Sequence, residues 1–94
     1  MPTVNVRFMG NLREAAGVES KTTTTKEGSC LKDLFDQLVD EAVGEFKARL
    51  GAVLRGRGGL IVLINGVESG SCGGQGSELR DGDEITLIPV SHGG

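Results

Sequence analysis

The sequence predicts an α+β fold in which one main helix packs across a mixed β-sheet. Three observations lead to this prediction: an alternating strand pattern near the N-terminus, a long helical repeat of apolar residues in the middle, and a continuous apolar run followed by one more strand-like segment. The chain has 94 residues, the size of one small domain. A helix and a sheet of this size can bury their apolar faces only against each other. We therefore expect residues 1–94 to form a single domain.

The N-terminal part predicts two strands joined by a short helix. Apolar and polar residues alternate from Thr3 to Phe8, the period of two that a strand with one buried face requires. Asn11 stands where an N-cap is expected, and Leu12–Ala16 can then form a short helix that Gly17 ends. Glu19–Lys26 carries four consecutive threonines. Their β-branched side chains favour an extended backbone, so this segment predicts the second strand.

A long central segment has the apolar spacing of a helix. Ser29 is a suitable N-cap for it, and the apolar positions that follow are Leu31, Leu34, Phe35, Leu38, Ala42, Val43, Phe46 and Leu50. Gly44 interrupts the pattern at a cost of about 1 kcal/mol relative to alanine, which favours a break into two helical pieces around residue 44. The outer face of this helix carries the carboxylates Asp33, Asp36, Asp40 and Glu41. Such a face is either a solvated surface or a binding site for a basic partner.

The second half of the chain alternates glycine-rich segments with strand-like ones. Residues 51–59 keep neither the helical nor the strand period and predict a mobile loop. Leu60–Ile64 is a continuous apolar run and predicts the central strand, buried on both faces and ended by a tight turn at Asn65-Gly66. After a second glycine-rich stretch, a turn at residues 81–83 leads to the last strand, Glu84–Ile88.

Composition and charge argue against several classes of function. The net charge is −3, and there are three Phe but no Tyr or Trp. The chain therefore lacks the basic surface and the aromatic platforms typical of nucleic-acid binding, and a partner with a cationic site fits better. The glycine-rich segments do not contain the Gly-x-x-x-x-Gly-Lys-Ser/Thr order of a phosphate-binding P-loop. Since no apolar leader opens the sequence, we expect a cytoplasmic location.

The two cysteines leave two interpretations open. Cys30 and Cys72 lie far apart and in no Cys-x-x-Cys pair, so the sequence predicts neither a zinc site nor a thioredoxin-type dithiol. A ferredoxin-type iron–sulfur centre needs four cysteines and is excluded. Either both thiols are reduced, as is usual in the cytosol, or they form a disulfide. No metal site is predicted.

Residues 89–94 predict a flexible tail that ends in Gly93-Gly94. The carboxylate of Gly94 is an unhindered anion at neutral pH and could attack the α-phosphate of ATP as an oxygen nucleophile. Two glycines without side chains fit a narrow channel. His92, the only histidine, is either a solvated tail residue or steers the tail within such a channel. A terminal tether cannot orient it rigidly enough for a Ser-His-Asp triad, so we do not expect an enzyme that acts on its own substrate.

The element order fits a β-grasp arrangement, and the chain resembles a known family along its whole length. The family comprises the ubiquitin-like sulfur carriers of the MoaD and ThiS type and the related small archaeal modifier proteins. The segments that carry the resemblance are Val4–Phe8, Leu12–Gly17, Leu63–Gly66, Asp81–Ile85, and Pro89-Val90 followed by Gly93-Gly94.

This resemblance implies a protein cosubstrate rather than an enzyme. A ubiquitin-activating-type enzyme, using ATP and magnesium, would adenylate the carboxylate of Gly94 and convert it to a thiocarboxylate. The sulfur would then serve molybdopterin synthesis, with this chain as the small subunit beside a large synthase subunit, or tRNA thiolation. In the modifier branch Gly94 would instead be joined to lysines of target proteins.

The sulfur acceptor and the carrier role itself have alternatives. The molybdopterin carriers commonly read Pro-Pro-Val in the connector, whereas this chain reads Pro89-Val90-Ser91-His92, which weakens the pterin assignment. A thiamin-thiazole sulfur carrier is one alternative. A non-catalytic adaptor domain is another, because a chain with 16 glycines can end in Gly-Gly incidentally.

Overall fold

The computed structural model describes residues 1–55 and 59–90, with all of their side chains except those of Ser71 and Cys72. In these ranges the chain forms five strands, three α-helices and two short 3₁₀ turns. In order they are β1 (Thr3–Phe8), α1 (Gly10–Ala16), β2 (Ser20–Thr24), α2 (Leu31–Glu41), α3 (Gly44–Leu54), β3 (Leu60–Ile64), β4 (Val67–Glu68), the 3₁₀ turns Ser69–Cys72 and Gly74–Gly76, and β5 (Glu84–Pro89).

The strands form one mixed sheet in the order β2-β1-β5-β3-β4. The last strand, β5, lies at its centre, parallel to β1 and antiparallel to β3. The prediction that Leu60–Ile64 is the central strand, buried on both faces, is therefore wrong. The two-residue β4 pairs with only Leu63 and Ile64, and Ile61 is 42% exposed because the α-helices pack on the other face of the sheet. An apolar run of this length does not by itself distinguish one covered face from two.

The predicted break in the main helix is confirmed. Helix α2 ends at Glu41, Ala42 and Val43 have extended backbones, and α3 begins at Gly44 with a φ of +62°. The break carries Val43 out of the helical repeat and leaves it 79% exposed, so its prediction as an apolar-face residue is wrong. Helix α3 continues to Leu54, and the predicted loop 51–59 is thus helical over its first four residues.

Two predicted helix caps are wrong by one or two positions. The N-cap of α2 is Cys30 rather than Ser29, because Asp33 Oδ2 accepts hydrogen bonds from the backbone N–H of Cys30 at 3.0 Å and from its thiol at 3.4 Å. Helix α1 begins at Gly10 after an extended Met9, which places Asn11 inside the helix. Its predicted end is confirmed, since Gly17 has a left-handed backbone and its N–H donates to the carbonyl of Arg13.

The core lies between the sheet and the helices. Its members include Leu31, Phe35, Leu38 and Val62, with Ile64 packed against them, so the main helix and the sheet bury their apolar faces against each other as expected. The rings of Phe8 on β1 and Phe46 on α3 meet edge to face with centroids 5.2 Å apart. This contact fixes α3 over the same face of the sheet as α2.

The hydroxyl of Thr25 is a weak point of this core. The side chain is 2% exposed, and Oγ1 has no hydrogen-bond partner within the described part of the chain. A buried hydroxyl without a partner costs about 1–3 kcal/mol. Thr25→Val keeps the shape and removes the hydroxyl, so we expect it to raise the free energy of unfolding by about 1 kcal/mol in urea titrations.

Thr23→Val is the matched control, because the Thr23 hydroxyl accepts a hydrogen bond from Gln37 Nε2 at 3.0 Å. This second variant should gain nothing or lose stability. A Thr25→Val protein less stable than the wild type would show that Oγ1 has a partner, such as a buried water.

The predicted turn at Asn65-Gly66 is confirmed, and the boundary of the tail shifts. Asn65-Gly66 forms the β3–β4 turn with φ values of 52° and 84°, and the Asn65 side chain bonds to Asp83 and Glu84 at the start of β5. Pro89 still belongs to β5 and is paired with Leu60, so the predicted tail 89–94 begins one residue inside the sheet.

Candidate functional site

The predicted site residues Gly94, Gly93 and His92 lie outside the described residues, as does Ser91. The structure instead defines the point to which they are attached. Pro89 ends the central strand, and Val90 is the last residue described. The described part of the candidate site therefore consists of the end of β5 and the surfaces around it.

The end of β5 is held to both neighbouring strands beyond their regular pairing. On one side the Met9 N–H donates to the Leu87 carbonyl at 3.1 Å, and on the other the Val90 N–H donates to the Gly59 carbonyl at 3.2 Å. Hydrogen bonds therefore hold the backbone to the sheet as far as Val90. Residues 91–94 follow Val90 in the sequence.

The sheet face opposite the helices carries an exposed apolar patch. Val62 and Leu87 are register partners on the core side, so their neighbours Ile61 and Ile88, also register partners, point the other way. The apolar patch consists of Ile61 and Val90, which are exposed, and of Leu63 and Ile88, which are partly exposed. It follows β3 and the last part of β5, and so it leads to the attachment point of the tail.

Polar residues border the apolar patch. Arg7 Nη1 and Glu84 Oε1 lie 3.9 Å apart on the same face, and both side chains are about half exposed. On the other edge Glu68 is the register partner of Leu63. An apolar centre with a polar border is typical of a protein-binding surface. The arrangement can therefore bind a partner protein next to the tail.

The acidic face of α2 is largely engaged within the chain. The N–H and thiol of Cys30 lower the pKa of Asp33, and a hydrogen bond of 2.9 Å from Lys21 lowers the pKa of Glu41. Lys32 Nζ donates to Asp36 at 3.0 Å, which raises the pKa of that lysine. These contacts cap and brace the helix, so they favour a solvated structural face over a binding site for a basic partner.

No candidate metal centre or membrane span is found in the described ranges. Within residues 1–55 and 59–90, no three His, Cys, Asp or Glu side chains are grouped so that they could hold a metal ion. Cys30 is a free thiol. No helix in the same ranges has the length and apolar composition needed to cross a bilayer.

The mixed five-stranded sheet, with its last strand central and helices on one face, defines a ubiquitin-like β-grasp domain. The model of the ThiS family matches residues 6–94. The chain therefore belongs to the ThiS family, whose relatives include MoaD-type carriers and the small archaeal modifier proteins, as the sequence predicts. Family members are small carriers rather than catalytic enzymes.

Several solved structures are similar to this chain. The small archaeal modifier protein 1 of Methanosarcina acetivorans is 30% identical, with 100% of this chain and 98% of that chain covered and a TM-score of 0.79. A chain of the Amycolatopsis orientalis BexX/CysO complex is 29% identical, with coverages of 97% and 99% and a TM-score of 0.67. The Haloferax volcanii small archaeal modifier protein 1 is 24% identical, with coverages of 98% and 99% and a TM-score of 0.75. No curated protein sequence gave a significant match.

The apolar patch is the part of the site that the sequence pattern does not reveal. Leu60–Ile64 has the pattern of a strand buried on both faces, and this pattern does not indicate that Ile61 is exposed and Leu63 partly exposed. One signal could identify it. The helical segments of the sequence are enough to cover only one face of the sheet, so alternate residues of each strand must face away from the helices.

Proposed function

We propose that this protein is a cytoplasmic sulfur carrier whose Gly94 carboxylate is adenylated by a partner enzyme and converted to a thiocarboxylate. The observation that carries the proposal is the family match, which extends to residue 94 and so includes the Gly-Gly end. The structure supports it in one respect. The central strand holds the chain to the sheet as far as Val90, beside a surface suited to a partner protein.

The chemistry requires an end without side chains. A carboxylate oxygen of Gly94 attacks the α-phosphorus of ATP, and pyrophosphate leaves with the electrons of the broken P–O bond. Hydrosulfide supplied by the partner system then attacks the acyl carbon, displaces AMP and loses its proton, which leaves the thiocarboxylate. ATP and magnesium belong to the activating enzyme, and this chain contributes the carboxylate and the surface that binds the enzyme.

The similar structures support two uses of the activated C-terminus. The Methanosarcina acetivorans protein, 30% identical, is a modifier protein, which favours conjugation of Gly94 to lysines of target proteins as a second activity. A chain of the BexX/CysO complex shows that a similar domain is found with a partner protein. As sulfur acceptors we propose a molybdopterin precursor held by a large synthase subunit, or tRNA, with the thiamin thiazole as the alternative.

The carrier role is tested by the intact mass of the protein purified from its native host. A fraction of the molecules should be heavier by the difference between one sulfur and one oxygen, and a reagent that captures thiocarboxylates should remove that species. If the protein were an adaptor with an incidental Gly-Gly end, neither the heavier thiocarboxylate form nor a conjugate with a target protein would appear.

We expect Ile61→Lys to weaken activation by the cognate adenylating enzyme. A charge in the centre of the apolar patch would have to be desolvated on binding, and the loss of a central apolar contact costs roughly 2 kcal/mol, or about thirtyfold in affinity. The measurement is the KM for the carrier in ATP–pyrophosphate exchange.

Val43→Lys is the control, because Val43 is an exposed apolar residue between α2 and α3, away from the patch. It should leave the KM unchanged. Equal KM values for the two variants, both folded by thermal melting, would show that the enzyme binds another surface.

A further inference from the structure

The ring of Pro89, at the end of β5, lies against Gly10, the first residue of α1. Gly10 has a φ of +54°, and a Cβ on it would lie 3.3 Å from Pro89 Cγ and 3.8 Å from Cδ. The shorter distance is below the ~3.5–4.0 Å at which carbon atoms pack best. A side chain at residue 10 would therefore require the turn or the proline ring to shift by a few tenths of an ångström.

The backbone pattern explains why the residue at this position lacks an N–H. The Leu87 carbonyl accepts from Met9, so by alternation the backbone groups of Leu87 and Pro89 face the β1 side of the strand. An N–H at residue 89 would point at the Met9 carbonyl. That carbonyl already accepts from the N–H groups of Leu12 and Arg13 at the start of α1. Proline has no donor to leave unpaired.

The other side of the strand end is held by β3. Pro89 is the register partner of Leu60, and the next residue, Val90, donates its N–H to the carbonyl of Gly59. Pro89 thus lies between the Met9–Gly10 turn and the start of β3. The backbone position of Val90 depends on both contacts.

We propose that Gly10 is a positioning residue for the reaction of the tail. By allowing the turn to close on Pro89, Gly10 fixes the place and direction at which residues 91–94 are joined to the domain. The effect of Gly10 on the adenylation of Gly94 rests on the proposed function, whereas its effect on the backbone position of Val90 does not. Gly10 itself touches neither ATP nor the reacting carboxylate.

The test compares Gly10→Ala with Gly17→Ala. Both glycines have positive φ and flank α1, but no atom of the described residues beyond its chain neighbours and helix backbone lies within 4 Å of a Cβ on Gly17. Both variants therefore carry backbone strain, and only Gly10→Ala disturbs Pro89. We expect similar melting temperatures for the two.

The two variants should differ in two measurements. The Val90 amide should exchange with deuterium about tenfold faster in Gly10→Ala, while the Phe8 amide, bonded to Glu19, stays the same in both. In ATP–pyrophosphate exchange, kcat should fall about tenfold or more in Gly10→Ala and KM should change much less, because Ile61, Leu63 and Ile88 of the apolar patch keep their places while Val90 and the reacting end are displaced. Gly17→Ala should match the wild type in both measurements.

Each outcome decides one part of the proposal. Equal Val90 exchange in the two variants would overturn it, and so would faster Val90 exchange with an unchanged kcat. If the wild-type carrier supports no pyrophosphate exchange, the proposed function fails and the positioning role with it, while the Val90 amide still reports whether Gly10 holds the strand end. If Gly10→Ala does not fold, Pro89→Ala disturbs the same junction by removing the ring and adding an N–H that faces the Met9 carbonyl, and it should give the same two changes.

Discussion

One alanine added after Gly94 should abolish ATP–pyrophosphate exchange with the cognate adenylating enzyme. In-line attack requires the carboxylate at one position relative to the α-phosphorus, and an extra residue carries it about 3.5 Å further along the chain. A misplacement of this size costs a hundredfold or more in rate. Deletion of Gly94 should be equally harmful, because it withdraws the carboxylate by the same distance.

Thermal melting provides the control for these end variants. Gly93 and Gly94 have no side chains to bury, so neither the extension nor the deletion should lower the melting temperature by more than a few degrees. An adaptor domain would support no exchange in any of the three proteins. Undiminished exchange by the extended chain, with no protease present to trim it, would contradict the role of Gly94.

Leu38→Ala should give the largest loss of stability among the variants considered. Leu38 is 2% exposed and belongs to the cluster between α2 and the sheet. Truncating a buried leucine costs about 2–5 kcal/mol, which in a domain of this size lowers the melting temperature by about 10 °C or more. Urea titration monitored by circular dichroism measures the difference directly.

The control for this variant is Asp40→Ala, on the exposed face of the same helix. Gln37 is unsuitable as a control because its amide donates hydrogen bonds to the Thr23 hydroxyl and the Thr24 carbonyl on β2. Asp40→Ala should change the free energy of unfolding by less than about 0.5 kcal/mol. Equal losses for the two variants would mean that α2 is turned differently on the sheet.

Local patterns in the sequence predict most elements but not the order of the strands. The alternation in Thr3–Phe8, the turn at Asn65-Gly66 and the break at Gly44 depend on neighbours in the chain, and all three are confirmed. The central place of β5 depends on pairing with β1, which is far away in sequence. Met9 makes no side-chain cap hydrogen bond, and Cys30 caps its helix together with Asp33, so the residue preferences for capping did not find these two positions.

The candidate site is predictable only in its covalent part. The Gly-Gly end can be read directly from the sequence, and the family model that includes it matches through residue 94. The apolar patch combines β3 with β5 and becomes visible only when the register of those strands is known. The contact of Gly10 with Pro89 likewise joins two ends of the chain, and no local pattern marks it.

The central place of the last strand has a consequence for synthesis on the ribosome. The β1–β2 pair and the β3–β4 pair are not joined into one sheet until β5 pairs with both β1 and β3. Since a chain is translated from its N-terminus at about 5–20 residues per second, β5 is the last strand to leave the exit tunnel. A prematurely terminated chain would lack the centre of the sheet, and cellular proteases would then degrade it.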